Sequence, residues 1–462
     1  MKLERHKVKF DSELIKKYDK QIPRYTSYPP ATEFTPNFTE TDYRKAIARG
    51  NTRQSPLSLY FHIPFCEELC YYCGCNKIVT KLKDKVVPTY LDYLYKEIDS
   101  ISPLIDKKRK VNQLHFGGGT PNYLNAPEIE DLWNKIHQHF TFDKEAEISL
   151  EVNPQYLDKN YILFLRNLGF NRISFGIQDF DPKVQKAVNR VQPEEMLFNV
   201  INWMREAGFE SINVDLIYGL PYQTATSFRE TVQKTIRLNP DRIALFNFAY
   251  LPSIIPAQKK LPSEALPPAS EKLSMFQMTI EELEKGGYLF IGMDHFAKPN
   301  DELAVAQENG VLHRNFQGYT TKPESDLISF GLTSITMLHD VYVQNYKGLK
   351  EYYQAIDEGK FPINIGYELT PTDILHREVI KELMCNFRLN KRTIESKYNI
   401  DFDRYFASAL EQLKSQEEDG LVTLLPEAIE INPSGRLLLR NIAYVFDTHT
   451  PRRKEQRFSR SI

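Results

Sequence analysis

One repeated alternation constrains the fold of this chain more than any other feature. Six short apolar runs, at residues 57–62, 113–116, 147–152, 172–177, 212–217 and 242–248, alternate with segments of helical periodicity. The helical patterns cover 89–102, 126–140, 158–168, 194–207 and 225–238. The apolar runs are β-branched or aromatic and nearly continuous in hydrophobicity, which is how parallel strands buried on both faces read. Six successive βα units predict a parallel sheet curled into an open or closed barrel. A seventh candidate strand at 288–293 follows a helical pattern at 271–284.

Beyond about residue 365 the pattern changes. A helix is expected over 370–384, with Thr370 as N-cap and Pro371 in the first helical position. Shorter helical segments at 393–396 and 405–416 precede LVTLLPEAIEIN and a last helix-like stretch ending near Asp447. Three helices with a short hairpin predict a small, mostly helical, winged-helix-like domain. The expected organisation is an N-terminal arm at 1–50, a catalytic barrel with extensions at 51–364 and the helical domain at 365–462. The final residues are basic, with Arg452, Arg453, Lys454, Arg457 and Arg460. A solvated terminus and closure of an anionic pocket are both open readings.

Of the 462 residues, 59 are Lys or Arg and 61 Asp or Glu, a net charge of −2 that excludes a generally basic nucleic-acid coat. No apolar stretch approaches the ~18 residues of a membrane span. The first twenty residues contain no apolar signal core. A cytoplasmic protein is therefore expected.

In parallel α/β sheets, chemistry gathers where strands end. The unusual residues fall there. Four cysteines follow the first run, Gly117-Gly118-Gly119-Thr120-Pro121 follows the second, Glu151 ends the third, Gln178 follows the fourth, Asp215 lies late in the fifth and Ala249 follows the sixth.

Four of the five cysteines lie within ten residues, in FHIPFCEELCYYCGCNK. A disulfide framework would spread its cysteines through a small domain, so this spacing points to metal or redox chemistry. Structural zinc pairs close ligands across a longer gap, whereas an iron–sulfur cluster accepts several thiolates from one loop. Three ligands would leave one iron open to another molecule. Cys385, in KELMCNFRL, reads as a buried helix residue.

Cys66, Cys70 and Cys73, spaced Cys-x3-Cys-x2-Cys, resemble the signature of the radical S-adenosylmethionine (SAM) superfamily. Gly117–Thr120 is similar to that superfamily's glycine motif, where absent side chains allow backbone to approach a ligand closely. Cys75 extends the motif to CxxxCxxCxC. With PRYTSYPPATEF, HFGGGTPNYL, NRISFGIQDF, NVDLIYGLP, GMDHFA and HRNFQGYT, the whole chain resembles the oxygen-independent coproporphyrinogen III oxidases (dehydrogenases) of haem biosynthesis.

The resemblance implies a partial (β/α)6 radical SAM barrel, one [4Fe–4S] cluster held by Cys66, Cys70 and Cys73, and two molecules of SAM. It implies that Tyr60, Gly118, Glu151 and Ile335 hold the cluster-bound SAM. Tyr72, Gly119, Thr120, Gln178, Arg190, Asp215 and Ala249 would line the second. Cys75 would influence catalysis without binding the cluster. The implied reaction converts two propionates of coproporphyrinogen III into vinyl groups, giving protoporphyrinogen IX and carbon dioxide. It needs an electron donor and an acceptor that the sequence does not identify. A tetrapropionate substrate requires cations, and Arg24, Lys77 and Arg314 are the candidates, with His295 and His313 as further donors. Tyr25-Thr26-Ser27-Tyr28 could cover the tetrapyrrole or pack as an arm. The family is expected to be monomeric and to bind neither membrane nor nucleic acid. Asn153 stands where the family usually has Asp, and Glu67-Glu68 replace more basic residues; two acidic groups there are expected to lower the cluster's potential. Related haem-binding chaperones share the barrel and three cysteines, but Cys75 and PRYTSYPP separate this chain from them. A metal-dependent transcription factor is disfavoured by the charge balance and the long βα region.

Overall fold

The computed structural model describes residues 6–323 and 325–450. The basic positions Arg452, Arg453, Lys454, Arg457 and Arg460 lie outside the described residues. The chain forms two compact units: Phe34–Pro268 with Glu324–Glu368, and the described parts of Met1–Glu33, Ala269–Pro323 and Leu369–Ile462.

The larger unit carries the six expected strands as β1 (Leu57–Ile63), β2 (Val111–Gly118), β3 (Phe142–Val152), β4 (Arg172–Gln178), β5 (Ser211–Tyr218) and β6 (Arg242–Asn247). Its sheet continues with β7 (Asp326–Phe330), β8 (Ile335–Met337), β9 (Val341–Asn345) and β10 (Ile363–Glu368), in the order β10-β9-β8-β7-β1-β2-β3-β4-β5-β6. Strands β7 and β1 to β6 run parallel in sequential pairs, and β8 to β10 add an antiparallel edge.

Between successive parallel strands run α1 (Lys83–Ile101), α2 (Ala126–His139), α3 (Lys159–Leu168), α4 (Glu194–Ala207) and α5 (Ala225–Leu238). Their limits follow from end chemistry. Asn125, Asp158 and Thr224 accept backbone N–H bonds as N-caps, and Gly169, Gly208 and Asn239 close the helices in the left-handed region. Helix α1 starts six residues before the expected 89, because Pro88 lies inside it. Proline removes one helical bond, but the buried Val87, Tyr90, Leu91 and Leu94 hold the turns on either side of it. Buried phenylalanines pack around the sheet: Phe61 stacks on Phe330 at 5.1 Å and meets Phe116 edge-on at 5.5 Å, and Phe116 meets Phe170 edge-on at 5.5 Å.

At the amino ends of the strands, Arg109 bonds Asp326 at 2.5 Å, the Ser55 carbonyl and Asn51 Oδ1. Gly50 makes room for this pair, since a Cβ there would lie 2.5 Å from the Asp326 carboxylate.

In the smaller unit, Thr370 caps the helix Pro371–Asn386 through a reciprocal box with Asp373, and Cys385 is buried within it. Helices Lys391–Tyr398, Phe402–Tyr405 and Ala407–Glu418 precede the hairpin Val422–Leu424/Ala428–Ile431, which gains a third strand at Arg388–Asn390. That strand is too short for its pattern to be legible. The 288–293 run forms Leu289–Gly292, paired antiparallel with His295–Ala297. Among the described residues no helix is long and apolar enough to cross a membrane.

Candidate active site

The carboxyl ends of β1 to β6 surround a cavity of about 320 Å³. The cysteine loop leaves β1 and is pinned at both sides. Cys66 pairs in a short parallel ladder with Val79, and the Thr80 amide donates to the Cys66 carbonyl at 3.0 Å. On the other flank, Tyr71 N donates to Val188 O, and Asn189 Nδ2 to Leu69 O at 2.9 Å. Lys77 Nζ donates to the Cys73 carbonyl at 2.9 Å and folds the end of the loop back on itself.

Cys66, Cys70, Cys73 and Cys75 all line the cavity. Burial pushes the Cys66 thiol up to about 11. The Cys73 thiol is drawn down to about 6, chiefly by its bond with Cys75 and helped by Lys77, while Cys75 is pushed up by the same bond. Opposite them stand Gly118, Gly119 and Thr120, with Thr120 Oγ1 3.3 Å from Cys66 Sγ. Gly118 adopts φ +118°, and a Cβ on Gly119 would lie 2.6 Å from the Pro64 carbonyl oxygen. Both positions require glycine, the first for its backbone and the second for its closeness to the cysteine loop.

Glu151 at the end of β3 accepts from Gly118 N at 3.2 Å and faces His115 Nε2 at 3.6 Å. Burial pushes its carboxyl up, but these two groups outweigh that and hold it below the ordinary value. Asp215 on β5 is pushed up to about 7 by burial and by the nearby Glu151 charge. Arg190 reaches Cys70 Sγ at 3.6 Å and the Gly176 carbonyl at 3.0 Å. Its Nε, and Gln178 Oε1, are buried without a hydrogen-bond partner. Such orphaned groups cost free energy unless a ligand satisfies them.

Of the residues singled out from sequence, all four cysteines of the loop, Tyr72, Lys77, Gly118, Gly119, Thr120, Glu151, Gln178, Arg190 and Asp215 line this one cavity. Tyr60 lies beneath it, stacked on His115. Ala249 and Ile335 are not among the lining residues; the Ala249 carbonyl accepts from Gln258 and the Ile335 carbonyl from Ser329. Arg24 and Arg314 lie in the smaller unit. Arg24 is paired with Asp294, and Arg314 is buried over the Tyr319 ring at 5.2 Å. His313 is pushed down to about 3 by burial, so it is neutral.

Three residues escaped the sequence reading. His62, at the end of β1, accommodates Gly118 against its ring and bonds Tyr60 and the Asn76 carbonyl. Its place just before the cysteines was a usable signal. Asn189 and Gln258 hold loops by backbone contacts that no local pattern announces; Gln258 is 1% exposed and reaches the Leu251 amide and Ala249 carbonyl.

Among the described residues no three His, Cys, Asp or Glu side chains converge as for a single metal ion. A cubane cluster is a larger body, with its thiolates spaced around it. Three soft thiols on one loop, an arginine beside them and a glycine cradle opposite fit such a cluster with an amino-acid-bearing ligand.

Comparison with known proteins agrees. Residues 60–235 match the radical SAM superfamily, and 369–438 match the HemN C-terminal domain. An oxygen-independent coproporphyrinogen III oxidase of Synechocystis is 57% identical over 98% of both chains. The chain belongs to the oxygen-independent coproporphyrinogen III oxidases. The Escherichia coli member is 49% identical, covering 98% of this chain and 99% of its own. A solved structure of that coproporphyrinogen III oxidase, described as a radical SAM enzyme, superposes with TM-score 0.92 at 48% identity over 96% of this chain and all of its own. Membership in this oxidase family carries with it a [4Fe–4S] cluster and SAM as cofactors.

Proposed function

We propose that this chain oxidatively decarboxylates two propionates of coproporphyrinogen III to vinyl groups, giving protoporphyrinogen IX. The observation that carries the assignment is the convergence of three thiols, Gly118–Thr120, Glu151, Arg190 and Asp215 on one cavity. Cys66, Cys70 and Cys73 hold the cluster. When bound, the cluster and SAM would supply the one-electron chemistry for taking a hydrogen atom from the propionate β-carbon, with carbon dioxide as the leaving group and a separate acceptor taking the remaining electron.

The protein's own residues orient and shield that chemistry. Tyr60, Gly118, Glu151 and Ile335 serve the cluster-bound SAM, and Glu151 remains ionised to accept from its amino group. Tyr72, Gly119, Thr120, Gln178, Arg190, Asp215 and Ala249 serve a second SAM, where the unpartnered Nε of Arg190 and Oε1 of Gln178 are available to a ligand. Cys75 acts beside the cluster. Lys77 is the substrate cation that the cavity wall supports; Arg24 and Arg314 are further candidates. The enzyme works as a cytoplasmic monomer with a separate electron donor and acceptor.

Anaerobic reconstitution followed by reductant, SAM and coproporphyrinogen III tests this reading. Formation of 5′-deoxyadenosine together with protoporphyrinogen IX, both lost in Cys70→Ser, is expected. Deoxyadenosine alone would move the substrate assignment elsewhere. Neither product from a cluster-loaded sample that binds haem stably would replace the oxidase by a haem carrier.

A further inference from the structure

The strand and helix start behind the cysteine loop combine exposed apolar side chains with a run of lysines. Residues 77–86, KIVTKLKDKV, hold four lysines against one aspartate in a chain whose net charge is −2. Val79 is 42% exposed and Leu82 64%. Neither Lys81 nor Lys85 has a carboxylate partner among the described residues, whereas Lys83 faces Glu128 at 3.6 Å. Leu82 also occupies the N-cap of α1 and offers no capping bond. Of the other four barrel helices, those that start at Ala126, Lys159 and Ala225 use Asn, Asp and Thr for that task, while the one that starts at Glu194 has Pro193 there and no side-chain cap. A large apolar side chain, exposed at a position where a hydroxyl or carboxylate would serve the helix better, breaks a local rule without a gain to the fold.

This patch is coupled to the site by backbone. Val79 is the β partner of Cys66, and the Thr80 amide bonds the Cys66 carbonyl. A groove of about 340 Å³ lined by Lys81, Lys83, Tyr123, Tyr156, Glu67 and Asp158 runs beside it and shares Glu67 and Tyr156 with the thiol cavity. Val79, Lys81, Leu82 and Lys85 do not line that cavity, so a protein seated on them would leave the cavity lining untouched.

We infer that Val79, Lys81, Leu82 and Lys85 form the docking surface for the electron donor, a small acidic protein with a low-potential one-electron centre. The lysines steer the acidic face, and Leu82 with Val79 supplies the apolar contact at its middle. One electron leaves the partner's reduced centre and enters the cluster; no bond is made or broken and no proton moves. The inference rests on the cluster assignment given above.

The test uses the cluster-loaded enzyme and, as probe, an acidic flavodoxin in its hydroquinone state, which is oxidised to the semiquinone. Stopped-flow absorbance gives the second-order reduction rate, and calorimetry with oxidised flavodoxin gives binding. Lys81→Glu/Lys85→Glu is expected to slow reduction by about tenfold at low salt, with the deficit shrinking as ionic strength rises. Leu82→Ser, which adds an N-cap hydroxyl and so protects the fold, is expected to weaken binding severalfold at every salt concentration. Reduction by dithionite, and dithionite-driven turnover, should be unchanged in both. Wild-type flavodoxin rates and affinities in both variants would overturn the docking surface, as would an equal loss with dithionite. Failure of wild-type turnover with dithionite would instead count against the oxidase assignment.

Discussion

At the amino ends of the barrel strands, Arg109 and Asp326 are buried to 0% and 4% side-chain exposure, and they meet at 2.5 Å. At the carboxyl ends, Arg190 is only partly buried; its guanidinium reaches a thiol at 3.6 Å and its Nε has no partner. Both arginines sit in the same barrel, a few strands apart. The first pair neutralises itself, and Arg109 also donates to the Ser55 carbonyl and the Asn51 side-chain Oδ1, so its charges are satisfied without any ligand. The second is left incomplete, together with Gln178, because these groups are arranged for a ligand. Strain tolerated at one end and settled at the other separates a binding face from a stabilising one.

The sharpest test of this contrast exchanges the effects. Cys73→Ser at the carboxyl end should abolish turnover and cluster loading. The melting free energy of the cluster-free chain should stay within about 0.5 kcal/mol of wild type, because the serine hydroxyl can keep the side-chain bond to Cys75. Asp326→Asn at the amino end should do the reverse. It leaves Arg109 buried beside a neutral amide and should cost about 3–5 kcal/mol in urea unfolding, while the fraction that remains folded keeps its kcat. A large activity loss in folded Asp326→Asn, or a large stability loss in Cys73→Ser, would break the distinction.

Glu97 refines it. Its carboxyl is 0% exposed and accepts from the Gly331 amide, Tyr352 OH and Asn345 Nδ2 at 2.6–2.7 Å, holding the turn that follows β7. Among the described residues no cation joins this group, and burial raises its pKa from 4.5 to about 7. The folded state therefore binds the extra proton between those values, and stability falls as pH rises from about 4.5 to 7. Urea unfolding of wild type minus Glu97→Gln should lose about 3 kcal/mol across that window and be flat outside it. A flat difference throughout would show that the three donors hold Glu97 ionised.

The barrel was legible because a crossover helix must separate parallel strands, and each pairing leaves a short, doubly buried run. Glu194–Ala207 and Ala225–Leu238 agree with the sequence at both ends, since Pro193 and the Thr224 cap mark their starts and Gly208 and Asn239 close them where the apolar stripes end. The cysteines, Gly118, Gly119, Glu151 and Asp215 were legible because they fall at strand ends. Gln258, Asn189 and Glu97 were not. Each is a polar residue in a locally ordinary segment, and its role lies in contacts with residues far along the chain, such as Gly331, 234 positions from Glu97. The smaller unit is drawn from three separate stretches of sequence, so its packing has no single window in which a period could appear.

A smaller effect in that unit carries the comparison further. Asp373, in the first turn of the helix Pro371–Asn386, meets His449 Nε2 at 2.7 Å. Glu33 faces the other ring nitrogen at 4.0 Å, Asp447 accepts from the His449 amide, and Tyr28 lies edge-on at 5.6 Å. The bond to Asp373 raises the His449 pKa above 6.5 against the opposing effect of burial. Burial pushes Asp373 up, but His449 and Thr370 outweigh it and draw the carboxyl down to about 2. Like Arg109 with Asp326, the pair completes itself, but it is partly exposed and one member is a histidine whose pKa is raised. Its full contribution is present from about pH 4 to 6.5. Above that it declines as pH passes the raised folded pKa of His449, and below it as pH falls toward 2 through the folded pKa of Asp373. Partial exposure limits the effect to about 1 kcal/mol. The unfolding free energy of wild type minus His449→Gln should therefore be greatest near pH 5.5 and shrink by pH 9. A difference that persists unchanged at pH 9 would mean that His449 acts by packing against Tyr28, and the self-neutralising pair would be confined to the barrel.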